Sequence, residues 1–201
     1  MIYADIGLIP SKIIKENIKK IRLILKDINI YGNHEPHVTL YPNSFNSLDD
    51  VERVIKKVIK HHKPFYIEII GIKQLKDPIN NTIALIYEIK KTEKLIKLQK
   101  ELFNELNKIR TRDQEKWFLR VIKQSSIEIS EGILKNIKKY GYPFSPENWI
   151  FHITIASFMR EIDLSSLKWY DIKTKFVINE IGIFLEDDEV LKLYKRIKLN
   201  N

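Results

Sequence analysis

The sequence predicts an α+β fold built on antiparallel strands. Three observations carry this. Strand-type alternation and helix-type apolar spacing take turns along the chain. Two pairs of strands are joined by short polar turns, as hairpins are. The unbroken strand–helix–strand succession of a doubly wound parallel sheet is absent. The 201 residues include seven prolines and six glycines that fall singly, with no low-complexity linker, so one continuous domain over 1–201 is expected.

Taken in order, IYADIGLI mixes alternation with β-branched residues, stops at Pro10 and reads as a strand. Ser11 then caps a helix in which Ile14, Ile18, Ile21, Leu25 and Ile28 keep helical spacing. After a loop containing Gly32 comes a short strand, HVTL, ended by Pro42. Ser47-Leu48-Asp49-Asp50 starts a second helix in the manner of a capping box, with Val51, Val54, Ile55, Val58 and Ile59 on its inner face. FYIEIIGIKQL and NTIALIYEI follow as strands about a turn at Asp77-Pro78-Ile79-Asn80. Thr92 begins a third helix, with Leu95, Leu98, Leu102, Leu106 and Ile109 inward. Residues 111–149 are the least periodic and are expected to be an irregular insertion, with a helix near 127–139 and a turn at Gly141-Tyr142-Pro143. WIFHITIASF is the next strand, followed by a loop or short helix. KFVINEIGIFLE and VLKLYKRIKL close the chain as two strands about the acidic turn Asp187-Asp188-Glu189.

Composition narrows the function. With no cysteine there is no disulfide framework, no thiolate metal cluster and no cysteine nucleophile. No apolar run approaches the roughly 20 residues that span a bilayer, and MIYADIGLIPSK lacks the form of a secretory signal. A soluble cytoplasmic protein with no membrane partner is expected. The net charge of +9 invites a polyanion, but a chain rich in Ile, Lys and Asn throughout reaches such a charge by composition alone.

Two of the five histidines share a local context, His37-Val38-Thr39-Leu40 and His152-Ile153-Thr154-Ile155. Side chains alternate across a strand, so each imidazole shares a face with the hydroxyl two residues on, and the aliphatic pair faces the core. By the same parity Tyr41 joins the face of His37 and Thr39 and is a candidate cleft wall. Threonine fills six of 201 positions, so a given histidine begins such a tetrad with a chance of only about 0.006. Either tetrad alone is compatible with a strand histidine satisfied by a neighbouring carbonyl; the pair points to chemistry.

Displacement at a phosphodiester needs a base for the attacking oxygen and an acid for the departing one, and imidazole serves both roles near neutral pH. The two rings must flank the phosphorus, which suits delivery from separate strands across a groove. A threonine hydroxyl beside each ring donates to a non-bridging oxygen. Such chemistry calls for neither metal nor cofactor.

With these residues in place, the chain resembles the 2H phosphoesterase superfamily, the 2′-5′ RNA ligase-like proteins and cyclic phosphodiesterases. HVTLYPNSF and YGYPFSPENWIFHITIASF are similar to strings of that family, whose mark is a pair of His-x-Thr/Ser-x motifs. The resemblance implies two pseudo-symmetric lobes of antiparallel sheet with flanking helices around a central cleft. It implies acid/base roles for His37 and His152 and phosphate binding by Thr39 and Thr154. The implied substrate is a 2′,3′-cyclic or 2′-5′-linked nucleotide, a related cyclic phosphate or short RNA. Many members carry Arg five residues after the second histidine; this chain has Ser157 there, and Arg160 is the nearest candidate.

Other residues keep two readings. Arg110, Arg112 and Arg120, with Lys116 and Trp117, suit either a lid gripping phosphate or a solvated face, and Arg112 and Arg120 are candidate substrate contacts. Tyr140, Tyr142 and Phe144 suit base stacking or packing, and Tyr142 is the candidate contact. His34 lies three residues before His37, but Pro36 intervenes and no carboxylate cluster completes a metal site. His61-His62 suits a helix C-terminus. The expected function is a metal-independent phosphodiesterase, a hydrolase of this family; the alternative is a non-catalytic RNA-end or nucleotide-binding module.

Overall fold

The computed structural model describes residues 1–200 apart from 31, 78, 80, 81, 126, 127 and 171. Along the chain run β1 (Ile2–Leu8), α1 (Lys12–Ile24), β2 (Val38–Phe45), α2 (Leu48–Ile59), β3 (Phe65–Lys76) and β4 (Ile83–Ile89). Then come α3 (Glu93–Leu106), α4 (Asp113–Ser125), α5 (Glu131–Tyr140), β5 (His152–Phe158), β6 (Thr174–Ile178), β7 (Glu180–Asp187) and β8 (Val190–Lys198). Short 3-10 turns at Pro146–Asn148 and Ser165–Tyr170 flank β5. The α+β class is as the sequence predicts.

The eight strands form one antiparallel sheet in the order β6-β3-β4-β5-β2-β1-β7-β8. It divides into two four-stranded halves, and a single described pair, Val38 with Ile153, links β2 to β5 at the join. The predicted strand KFVINEIGIFLE is two strands: only Asn179 separates β6 from β7, yet β6 edges one half and β7 lies in the other. In a flat sheet six strand spacings of ~4.8 Å would hold them ~29 Å apart. One residue reaches only ~3.5 Å, so the sheet must curl. Period-2 patterning continues through Asn179 and gives no sign of the change of partner.

The halves share a local device. β1 pairs with β2 through a register shift between Ile6 and Gly7, and β4 pairs with β5 through one between Leu85 and Ile86. Each shift is a bulge just past the motif threonine: Gly7 partners Thr39 but Ile6 partners Tyr41, while Ile86 partners Thr154 but Leu85 partners Ala156. A bulge reverses the inside–outside parity of the following residues. β2 also continues through Pro42, which partners Asp5 of β1. The β5 side of β2 has no ladder beyond Val38, so the missing N–H of Pro42 leaves no partner wanting there.

The helices follow their apolar faces. Ile14, Ile18 and Ile21 of α1, Val51 and Ile55 of α2, and Leu95, Leu98, Leu102 and Phe103 of α3 are buried in one core with Val38, Leu40, Ile153 and Ile155. Ser47 caps α2 by accepting from the Asp50 N–H at 3.2 Å, and Thr92 caps α3 by accepting from the Leu95 N–H at 3.3 Å. Helix α1 ends at Ile24, which leaves Ile28 exposed rather than inward. The segment expected to be irregular carries two helices; α5 matches the one near 127–139, and α4 is additional. α4 packs Phe118 against Ile137 of α5 in a separate small cluster, and its apolar stripe is too short to stand out in sequence. Of the turn at Asp77-Pro78-Ile79-Asn80, Pro78 and Asn80 lie outside the described residues, while the Asp77 N–H donates to the Thr82 carbonyl at 2.8 Å. The turn at Asp188 and Glu189 has φ of 49° and 61°, the two-residue geometry that suits twisted hairpins.

Candidate active site

The join of the two halves places both tetrads together. Val38, Leu40, Ile153 and Ile155 are fully buried, while Thr39, Thr154 and His152 are part-exposed on the other face. A cleft of about 250 Å³ is lined by His37, Thr39, His152 and Thr154, with Asp5, Ala84, Tyr142, Phe144 and Trp149 among its other walls. Trp149 fixes the floor by donating its indole N–H to the Thr39 carbonyl at 3.0 Å.

Each imidazole is anchored alike. The Nδ1 atoms of His37 and His152 lie 2.7 Å from the carbonyls of Glu35 and Ile150, each two residues back. A carbonyl only accepts, so Nδ1 carries hydrogen in both rings and Nε2 is the atom left for the cleft. Phe184 of β7 stacks on His37 with ring centroids 4.4 Å apart. Gly7 gives His37 room: a Cβ there would stand 2.9 Å from the Val38 carbonyl and 3.0 Å from His37 Cδ2.

The two rings differ in their second partner. Asp5 Oδ2 lies 3.2 Å from His37 Nε2 and accepts from Thr39 Oγ1 at 3.0 Å. Burial alone would lower the His37 pKa, but the charge and hydrogen bond of Asp5, with the Glu35 carbonyl, outweigh it and raise the pKa above the usual imidazole value. At His152 burial dominates and holds the pKa down, with the charge of His37 acting in the same direction. His34, whose Nδ1 accepts from the Leu191 N–H at 2.9 Å, is pushed down to about 4 by burial, Arg22 and His37. That acceptor role turns its Nδ1 away from a shared metal with His37, and among the described residues no cluster of three His, Asp or Glu could hold a metal ion. No described helix is long and apolar enough to cross a membrane.

Several sequence-predicted contacts lie elsewhere. Tyr41 is fully buried and not at the cleft: the bulge at Leu40 turns it to the core, where it meets Phe103 edge-on at 4.8 Å. Arg112 folds back on Glu115 at 2.6 and 3.1 Å, and Arg120 is exposed away from the cleft. Arg110 is a half-buried staple, donating to the Asn107 side chain at 2.9 Å and to the Lys139 carbonyl at 3.3 Å. Arg160 is exposed in the bend after β5 and does not line the cleft. Tyr142 does line it. His62 pairs with Glu101 at 2.7 Å. Sequence reasoning passed over Asp5; its signal is a lone carboxylate inside an apolar strand.

Comparison with known proteins agrees with this geometry. A family described as the 2′-5′ RNA ligase superfamily matches residues 9–187. No curated protein matches the chain by sequence. Among solved structures, TT0787 of Thermus thermophilus is similar with a TM-score of 0.62 at 10% identity, over 98% of this chain and 97% of that one. A structure titled phosphoesterase gives 0.55 at 13% identity over the whole of both chains. LigT of E. coli complexed with 3′-AMP gives 0.54 at 14%, over 100% of this chain and 99% of that one. At these identities the structures speak for a shared fold, while the family match spans most of the sequence. On that match, the chain belongs to the 2′-5′ RNA ligase superfamily.

Proposed function

We propose that this chain is a metal-independent phosphodiesterase that opens a 2′,3′-cyclic or 2′-5′-linked nucleotide, or a related cyclic phosphate, by general acid–base catalysis from His37 and His152. The observation that carries this reading is that both rings and both threonines line one cleft, with each Nδ1 tied back to a carbonyl. Water attacks phosphorus as one imidazole takes its proton, and the other protonates the departing ribose oxygen. The Thr39 and Thr154 hydroxyls hold the non-bridging oxygens. The LigT complex with 3′-AMP supports a nucleotide-sized phosphate ligand.

The test is turnover of 2′,3′-cyclic nucleotides and 2′-5′ oligoadenylates with chelator present. Loss of about 10²-fold or more in both His37→Ala and His152→Ala is expected; unchanged turnover in the pair rules the mechanism out. A second reading, an RNA-end binding module, has the basic groove along α1 in its favour, where Lys19, Lys20 and Lys26 stand among the lining residues. A binder returns its ligand unaltered, whereas an enzyme returns product.

A further inference from the structure

We propose that Asp5 divides the labour between the two histidines: it is a positioning residue that keeps a proton on His37 Nε2, which makes His37 the acid and leaves His152 as the base. The proposal rests on the phosphodiesterase reading and gives it a direction.

Hydrogen-bond accounting carries it. His37 Nδ1 faces the Glu35 carbonyl and so bears hydrogen. Its Nε2 faces Asp5 Oδ2 at 3.2 Å. A lone pair on Nε2 would oppose a lone pair on that oxygen, so a proton lies between them and the ring holds two. His152 Nδ1 also bears hydrogen, toward the Ile150 carbonyl, but among the described residues its Nε2 has no hydrogen-bond or ion-pair partner. That nitrogen presents a lone pair to the cleft, which is what a base requires.

The near-symmetry of the fold isolates the cause. Asp5 partners Pro42 past one bulge, and Ala84 partners Ser157 past the matching bulge in the other half. The site that holds a carboxylate beside His37 thus holds a methyl group beside His152. Asp5 is 4% exposed in an otherwise apolar strand, and its Oδ1 has no partner. Burying a carboxylate in this way is unfavourable unless a cation or proton lies against it. The charged or titratable groups around His37 are Asp5 from β1, His34 and Glu35 from the segment before β2, and His152 from β5. Lys73 of β3 acts on His152, and β7 adds only the uncharged Phe184 ring. Asp5 is the one in direct contact with Nε2.

In one turnover of a cyclic phosphate, water oxygen forms a bond to phosphorus as its proton passes to His152 Nε2. The bond from phosphorus to the ribose oxygen breaks as His37 Nε2 delivers its proton there. The rings finish with exchanged protonation, and solvent exchange restores the starting state with Asp5 drawing the proton back to His37.

The first experiment needs no substrate. In a titration of the ¹⁵N-histidine-labelled chain followed by NMR, His37 is expected to stay doubly protonated well above pH 6.5, with His152 neutral at pH 7. In Asp5→Asn the His37 midpoint is expected to fall by about one pH unit or more, and Asp5→Glu to recover part of the shift. An ordinary His37 midpoint in the unaltered protein overturns the assignment even if no variant folds, and leaves the phosphodiesterase reading standing. Kinetics supply the second arm. With an aryl phosphodiester, whose leaving group needs no proton, the His37→Ala defect is expected to shrink by about 10²-fold while that of His152→Ala persists. The reverse pattern exchanges the roles and sinks the proposal. Absence of turnover by the unaltered chain defeats the enzyme reading instead.

Discussion

Val38 pairs with Ile153, and among the described residues this is the one backbone pair that joins the two halves of the sheet. Each motif histidine immediately precedes a member of the pair. Carrying the antiparallel register one residue either way sets His37 opposite Thr154 and Thr39 opposite His152. The cleft is therefore a diagonal of two rings and two hydroxyls across a single crossing point.

On that diagonal the threonines are not equivalent. Thr154→Val removes a donor to phosphate and is expected to lower kcat/KM by about 10²-fold with little change in stability. Thr39→Val also withdraws the hydrogen bond to Asp5 Oδ2. It is expected to add a loss of about 1–2 kcal/mol in stability, read from chemical unfolding beside the kinetics.

Gly7 is a packing requirement of the site. In Gly7→Ala the new methyl meets the Val38 carbonyl at 2.9 Å and His37 Cδ2 at 3.0 Å. A loss of about 1–3 kcal/mol is expected, together with altered His37 ring resonances. A thermal melt and a ¹H–¹⁵N spectrum check both; an unchanged ring environment would show that His37 is not wedged here.

Acid sensitivity follows from the suppressed histidines. His34 sits at about 4 when folded against 6.5 when unfolded. The unfolded chain binds the extra proton first, so this contribution is intact above pH 6.5 and is lost as pH falls toward 4. His152, also lowered, acts in the same direction. His37, raised, contributes stability below pH 6.5 that is lost as pH climbs through its folded value. His34→Asn keeps an acceptor for the Leu191 N–H and is expected to remove about 2 kcal/mol of the fall between pH 6.5 and 4. Urea midpoints across that range decide it.

The β7–β8 turn carries local strain. Asp188 and Glu189 both have positive φ, a region that costs a non-glycine residue about 1 kcal/mol. Glu189→Gly is expected to raise stability by about 0.5–1 kcal/mol, visible as a higher melting temperature; a lower one would mean the side chain contributes more than the strain.

What could be read in the sequence follows physical range. Helices α1 to α3 and the two tetrads announce themselves through spacing and caps a few residues long. The bulge at Leu40 does not, because it depends on how β1 meets β2, and so Tyr41 by parity belongs to the cleft but in fact packs on Phe103. The split at Asn179 depends likewise on the curl of the whole sheet. Asp5 and His37 are 32 residues apart, and their contact comes from strand pairing that no local motif encodes. The acid and base roles were open in the sequence for that reason.

Ala84→Asp tests the origin of the asymmetry from the other side. Position 84 lines the cleft and stands to Ser157 as Asp5 stands to Pro42. A carboxylate there would face His152 as Asp5 faces His37, so His152 would gain a stabilised proton and cease to be a free base near neutrality. The His152 midpoint is expected to rise by about one pH unit or more. The acid limb of kcat/KM moves up with it, and the rate at about pH 6.5 drops about tenfold. Raising the pH restores the rate, because a proton on the base is lost again, and this separates the effect from misfolding, which pH would not reverse. If the folded variant leaves the His152 midpoint unmoved, a carboxylate in that slot does not govern the adjoining ring, and Asp5 cannot be credited with governing His37.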